Sequence, residues 1–193
     1  MSELRIYSDG DPNKALSVHK SFEDIRDQLA KIDVSFERWE ASAEFDREAT
    51  QDEIIAAYRE PIDRLMKAYG FKSVDVISLY SDHPQRAAMR DKFLHEHTHD
   101  DFEVRFFVEG EGLFNLRAGG KVYAIRCKQG DLLNVPAGIT HWFDLGPEPQ
   151  LKAIRLFTTP EGWVATFTGD KIADRFPRLE APHYPDLAKT LAA

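Results

Sequence analysis

Cysteine is nearly absent from this chain. Cys127 stands alone, so no intrachain disulfide can form, which suits a reducing compartment. No run approaches the roughly 18 apolar residues that a membrane span needs. The opening residues, MSELRIYSDG, hold no basic segment followed by an apolar stretch, so no secretory leader is expected. Positive charge is in deficit: 25 Lys and Arg face 33 Asp and Glu, a net charge of -8. Phosphate backbones are held by clustered cations, so this balance argues against nucleic-acid binding. Internal repeats and low-complexity tracts are also missing. With 42% hydrophobic residues among 193, the chain has material for a real core. It is expected to be a cytoplasmic globular protein made of a single domain, 1–193.

The pattern changes character near residue 72. Residues 1–71 read as mostly helical. Ser21 with Asp24 can cap a helix carrying Ile25, Leu29 and Ile32 at helical spacing. Thr50 and Glu53 form a capping-box pair ahead of Ile54, Ile55, Tyr58, Ile62, Leu65, Met66 and Tyr69. Pro61 should kink or split that stretch, and Gly70 can end it. A short strand is expected over Val34–Trp39. Residues 72–159 read as many short strands punctuated by glycine and proline, among them His95–His99, Val104–Glu109 and Gly112–Arg117. Such a series predicts a sandwich or jelly-roll barrel, so the fold class is mainly β with helices. Residues 160–193 read as irregular cover with one short helix near Asp170–Arg175.

The chemistry gathers where histidine is dense. The stretch FLHEHTHDDFEVRFFVEG carries His95, His97, His99 and Glu103. Alternate residues of a strand share one face, so His97 and His99 can stand side by side, with Glu103 and Arg105 following unless a turn resets the parity. His141 can close the site from a neighbouring strand. Three imidazoles and a carboxylate suit a borderline divalent metal. Four ligands leave two octahedral positions open for a chelating substrate or dioxygen. Spacing alone does not decide among the histidines, because His95 has the same parity.

Two segments resemble the paired motifs of the cupin superfamily. The first is His97-x-His99, three residues, Glu103, six residues, Gly110. The second is Gly130, five residues, Pro136-x-Gly138, two residues, His141. The asparagine usual four residues after the last histidine is Leu145 here. The runs KFLHEHTHDDFEVRFFVEGEGLF, VPAGITHWFDLG, AIRLF and PEGWVATFTGD are similar to bacterial acireductone dioxygenases, over about residue 72 to Leu179. That resemblance implies a cupin jelly-roll β-barrel with a helical N-terminal region. It implies His97, His99, Glu103 and His141 as ligands of one iron(II) or nickel(II) per chain, and leaves His95 outside the set. It further implies an enzyme of methionine salvage, acting as a monomer on acireductone, 1,2-dihydroxy-3-keto-5-methylthiopentene, with O2. The family's products are 4-methylthio-2-oxobutanoate and formate with iron(II), and 3-methylthiopropanoate, formate and carbon monoxide with nickel(II).

Arg105 shares the parity of Glu103, and a fixed guanidinium near an enediol favours its ionised form. Parity alone equally suits a salt-bridged barrel arginine; the resemblance favours a role in generating the substrate dianion. Arg155 is a second cation for substrate. Phe93, Phe143 and Trp163 are candidates to meet the methylthio tail, through sulfur–aromatic contacts of roughly 0.3–1.5 kcal/mol, although ordinary core is the simpler reading of aromatics. Relatives suggest that Glu96 influences metal incorporation, whereas a solvated edge carboxylate is the plainer account. Phe102 stands where relatives often place an acid, so a proton-transfer or conformational role of that acid is lost or moves to Asp101. Other classes remain open at this point: a non-enzymatic cupin that senses a small ligand, or another metal-dependent cupin dioxygenase or isomerase. A structural zinc site fits poorly, since such sites are usually rich in cysteine.

Overall fold

The computed structural model describes residues 1–159 and 164–180. Among these, four α-helices and one 3-10 turn of helix (Ile172–Arg175, within the short helix expected near Asp170–Arg175) accompany eleven strands. The helices are α1 (Phe22–Ala30), α2 (Gln51–Ala57), α3 (Arg59–Tyr69) and α4 (Arg86–Leu94). The strands are β1 (Glu3–Ser8), β2 (Asp11–His19), β3 (Ser35–Arg38), β4 (Ser73–Tyr80), β5 (His97–Thr98), β6 (Glu103–Ala118), β7 (Lys121–Lys128), β8 (Asp131–Val135), β9 (Thr140–Asp144), β10 (Gln150–Phe157) and β11 (Thr166–Phe167).

The helical signals act as their chemistry directs. Ser21 Oγ accepts from the Asp24 amide at the start of α1. Thr50 Oγ1 accepts from the Glu53 amide while Glu53 Oε2 accepts from the Thr50 amide, so two free donors are met reciprocally. Pro61 divides the helical stretch: α2 ends at Ala57 and Pro61 falls in the first turn of α3, where a missing N–H costs nothing. Gly70 ends α3 in a left-handed conformation. Residues 1–71, expected to be mostly helical, also open with a β-hairpin. β1 pairs with both β2 and β7, so this hairpin extends the sheet.

Two antiparallel layers share the long strand β6. One runs β4-β10-β6-β8-β3, the other β11-β5-β9-β6-β7-β1-β2. The hydrogen-bonded ladder does not close on itself, so the jelly roll consists of two facing layers joined through β6. The two strands expected over Val104–Glu109 and Gly112–Arg117 are therefore one. Its glycines bend the strand rather than end it. At Gly110 φ is +78°, and a Cβ there would lie 1.6 Å from the Gln150 carbonyl oxygen.

Side-chain parity along β6 fixes what faces where. Phe107 packs into the core between the layers, while Val104, Phe106 and Val108 face the cover formed by α2 and α3. A register shift against β10 follows Phe107, which pairs with Ala153, whereas Glu109 pairs with Lys152. That bulge resets the alternation, so Phe114 and Leu116 return to the same core. Burying a residue such as Phe106 or Phe107, each 0% exposed, contributes about 1.5–3 kcal/mol. Glu103 and Arg105, in step with Phe107, are thereby aimed between the layers.

Candidate metal centre

Four of the expected residues come together. β5 pairs with β9 through a single register match, His97 opposite His141. The His97 and His141 rings lie 4.5 Å apart, His97 and His99 4.9 Å, and His99 and His141 5.1 Å. Strand β5 is only His97–Thr98, shorter than the expected His95–His99, and β6 begins at Glu103 itself. The intervening turn keeps Glu103 on the histidine side. Its Oε2 lies 2.8 Å from His141 Nε2 and 3.4 Å from His99 Nε2.

Hydrogen bonds select the nitrogen that each ring presents. His97 Nδ1 is 2.7 Å from the His95 carbonyl, His99 Nδ1 3.1 Å from the Val164 carbonyl, and His141 Nδ1 2.8 Å from the Ile139 carbonyl. A carbonyl only accepts, so each Nδ1 carries the proton and a neutral ring offers its Nε2 lone pair. The ligand atoms of the three histidines all lie within 4.8 Å of one another. His141 Nε2 and Glu103 Oε2 are buried and, among the described residues, lack a hydrogen-bond partner of proper geometry. Buried polar atoms left in this condition cost free energy. A divalent cation satisfies them, and three imidazoles with one carboxylate are a donor set that fits it.

The electrostatics of the metal-free site divide the rings. Burial pushes the His97 imidazole down to about 4, and neighbouring His141 adds to the effect. Burial works against charge on His99 too, but the Glu103 carboxylate outweighs it and raises that imidazole. Burial alone would raise Glu103; His141 and Arg105 overcome it and hold the carboxyl well below its usual range.

Arg105 completes the floor. Its Nη2 donates to Glu103 Oε1 at 2.9 Å, and the guanidinium lies 4.4 Å from the Phe143 ring centre and 5.1 Å from that of Phe114. The guanidinium is thus held between a carboxylate and two aromatic faces. Above it opens a cavity of about 460 Å³, lined by the three histidines, Glu103, Arg105, Phe93, Phe143 and Arg155. This is the size of a small-molecule site.

The known proteins most informative about this arrangement are near relatives. The ARD/ARD' family profile matches residues 3–165. Acireductone dioxygenase of Methylococcus capsulatus is 56% identical over 180 residues, covering 93% of this chain and 96% of that protein. Acireductone dioxygenase of Pseudomonas aeruginosa is 54% identical, covering 93% and 99%. The chain belongs to the ARD/ARD' family. Among solved structures, acireductone dioxygenase from Bacillus anthracis, with a cadmium ion in its active centre, superposes with a TM-score of 0.78. It shares 30% identity and covers 86% of this chain and 98% of its own. Family membership places the chain in the cupin superfamily and supports an enzyme of the dioxygenase type. The three-histidine cluster, with a cadmium-bound neighbour, supports a divalent metal.

Within this ARD-family chain the remaining expectations divide. Phe93 and Phe143 line the cavity, their rings 6.4 Å apart. Arg155 lines it too, and its guanidinium is engaged twice by Asp75 at 2.8 and 2.6 Å. Arg105, Arg155 and Asp75 are direct neighbours across β6, β10 and β4. Sequence reasoning misses Asp75, whose available signal is the apolar alternation of the residues around it in β4 (Ser73–Tyr80). Trp163 lies outside the described residues. The solvated-edge account of Glu96 is corrected: the residue is 2% exposed and held by Arg117 and Thr168. Phe102 packs against Tyr69 and Phe71, with ring centres 6.4 Å from each. Asp101 accepts from the Thr158 amide and hydroxyl and from the Phe102 amide, so its carboxylate anchors the end of β10.

Proposed function

We propose that this chain is an acireductone dioxygenase in which His97, His99, Glu103 and His141 hold one iron(II) or nickel(II), with Arg105 as the catalytic cation beside the substrate. The observation that carries this reading is the common commitment of the three Nδ1 atoms to backbone carbonyls. It leaves three Nε2 lone pairs and Glu103 Oε2 aimed at one volume beneath the cavity.

When bound, the ion supplies Lewis acidity and open positions for the two oxygens of an enediol. The protein's own residues do the rest. Arg105, buried and permanently charged, stabilises negative charge on the enediolate and favours loss of its protons. Glu103 Oε1 and the Phe143 and Phe114 rings fix the guanidinium before substrate arrives, so no reorganisation is needed during reaction. Phe93 and Phe143 give the methylthio tail an apolar wall. Arg155, held by Asp75, offers a second cation to the substrate's oxygens. Phe102, turned to the α3 cover, has no direct part. On this reading the products with iron(II) are 4-methylthio-2-oxobutanoate and formate. With nickel(II) they are 3-methylthiopropanoate, formate and carbon monoxide, and the reaction belongs to methionine salvage.

Metal analysis of purified wild-type and His141→Ala protein tests the site. The reading expects about one ion per chain in wild type and loss of most of it in the variant. Full occupancy in the variant contradicts the ligand assignment.

A further inference from the structure

The segment 164–170 touches two of the three histidines. The Val164 carbonyl accepts from His99 Nδ1, and Phe167 pairs in register with His97, with its ring 5.8 Å from that imidazole. Ala165 and Phe167 also line the cavity. Yet β11 is only two residues long, and its register holds two residue pairs, Thr166 with Thr98 and Phe167 with His97. So short a strand needs other anchors to keep a fixed position.

Those anchors converge on Arg117, which lies outside the cavity lining, near the far end of β6. Its Nη1 donates to Glu96 Oε1 at 3.2 Å and to Asp170 Oδ2 at 3.0 Å, and its Nε lies 3.7 Å from Asp9 Oδ2. Glu96 in turn receives the Thr168 hydroxyl at 2.6 Å on its carboxylate and the Thr168 amide at 3.1 Å on its carbonyl. Glu96 precedes His97 in the chain, and Asp170 closes the segment that starts at Val164. One guanidinium therefore ties the strand bearing a histidine to the segment that orients another. Arg117 is about one-third exposed, but the Glu96 side chain is 1% exposed. The pair is thus costly to break from the Arg117 side, because a buried carboxylate would lose its cation.

We propose that Arg117 is a positioning residue for the metal centre: through Glu96 and Asp170 it clamps the 164–170 segment, and so sets His99 and the Phe167 wall of the cavity. The proposal rests on the metal-site reading above. It needs no contact between Arg117 and metal or substrate. Its consequence is that metal retention depends on a residue outside the cavity lining.

The test compares full-length wild type with Arg117→Met and Arg117→Lys. Cobalt(II) serves as the metal probe: its release to a chelator is timed, its absorption spectrum recorded, and amide exchange at Thr168 followed beside exchange in β7. The Met variant is expected to release cobalt(II) about 10-fold faster, with altered bands and faster exchange at Thr168, while β7 stays protected. The Lys variant, which keeps charge beside Glu96 without the fork, is expected to fall between the two. Unchanged Thr168 exchange in the Met variant overturns the clamp. Faster exchange there with unchanged cobalt(II) release overturns the link to the metal. Loss of protection in β7 as well shows a general loss of structure and overturns the specific role. A wild type that takes up no cobalt(II) at the histidines overturns the metal-site reading itself, and the proposal with it.

Discussion

Arg105 reaches back two residues along its own strand to donate to Glu103 Oε1 at 2.9 Å, while the other oxygen of the same carboxylate faces His141 at 2.8 Å. One buried carboxylate thus divides its oxygens between a fixed cation and the volume where three imidazoles converge. The strand period sets this division: residues two apart share a face, so carboxylate and guanidinium enter the core together. On the proposed reading, removing either member should change metal affinity.

Glu103→Gln keeps the shape and removes the charge. Arg105, 4% exposed, is left buried without its carboxylate. The metal-free chain should lose about 3–5 kcal/mol of stability, measured by urea unfolding. Metal affinity should fall by at least the roughly 10–100-fold seen when a supporting partner is lost. A variant of unchanged stability would show that the pair is not coupled as described.

On the proposed reading, Arg105→Met removes the cation that favours the ionised enediol. The kcat/KM value should drop on the order of 10²-fold, and its acidic limb should move to higher pH, because the substrate then ionises less readily. A lower rate with an unshifted pH profile would make Arg105 a scaffold residue only.

In the metal-free chain, His97 and His99 are displaced in opposite directions. Burial brings His97 down to about 4. Between the ordinary imidazole value and that pH, the unfolded chain binds a proton that native His97 refuses, so His97 lowers stability as pH falls through this window. His99 is raised, because Glu103 outweighs the opposing effect of burial. Its contribution is full below the ordinary value and is lost as pH rises through the raised one. Metal binding needs both rings neutral, so loading should weaken first as pH falls through the His99 transition. Imidazole NMR titration with parallel metal-affinity measurements checks this. An affinity that is flat through neutral pH and collapses only near the His97 value contradicts it.

Much of this site was legible because its determinants are local. His97, His99 and Glu103 lie within seven residues, and the two spaced motifs supplied His141. What was hidden depended on distant partners. Glu96 looks solvent-facing by parity, and its burial depends on Arg117 and Thr168, 21 and 72 residues away. The β1–β2 hairpin was missed because β2 is an edge strand of mostly polar residues, with Leu16 and Val18 exposed. β1 gains its place by pairing with β7, more than 100 residues later. α4 carries no side-chain cap and no fully buried residue, so neither capping nor periodicity marks it. Gly110 and Gly112 read as strand ends, yet they bend one strand between two layers; a Cβ at Gly112 would lie 2.3 Å from the Phe143 ring.

Phe102→Ala separates packing from chemistry directly beside Glu103. The ring rests on Tyr69 and Phe71 and is only partly buried. The loss should be about 2 kcal/mol, below the roughly 3–5 kcal/mol of a fully buried phenylalanine. Metal content should stay at the wild-type level. A variant of normal stability that has lost its metal would return Phe102 to the centre.

The most direct measurement is anaerobic reconstitution of the metal-free chain with iron(II) or nickel(II), followed by acireductone, O2 and product analysis. The account predicts oxygen uptake with both metals. Iron(II) should give formate and the keto acid, and nickel(II) should give carbon monoxide besides formate and the shorter acid. Tight metal binding at His97, His99, Glu103 and His141 without oxygen uptake would contradict the dioxygenase reading and leave a ligand sensor or an isomerase on the same fold.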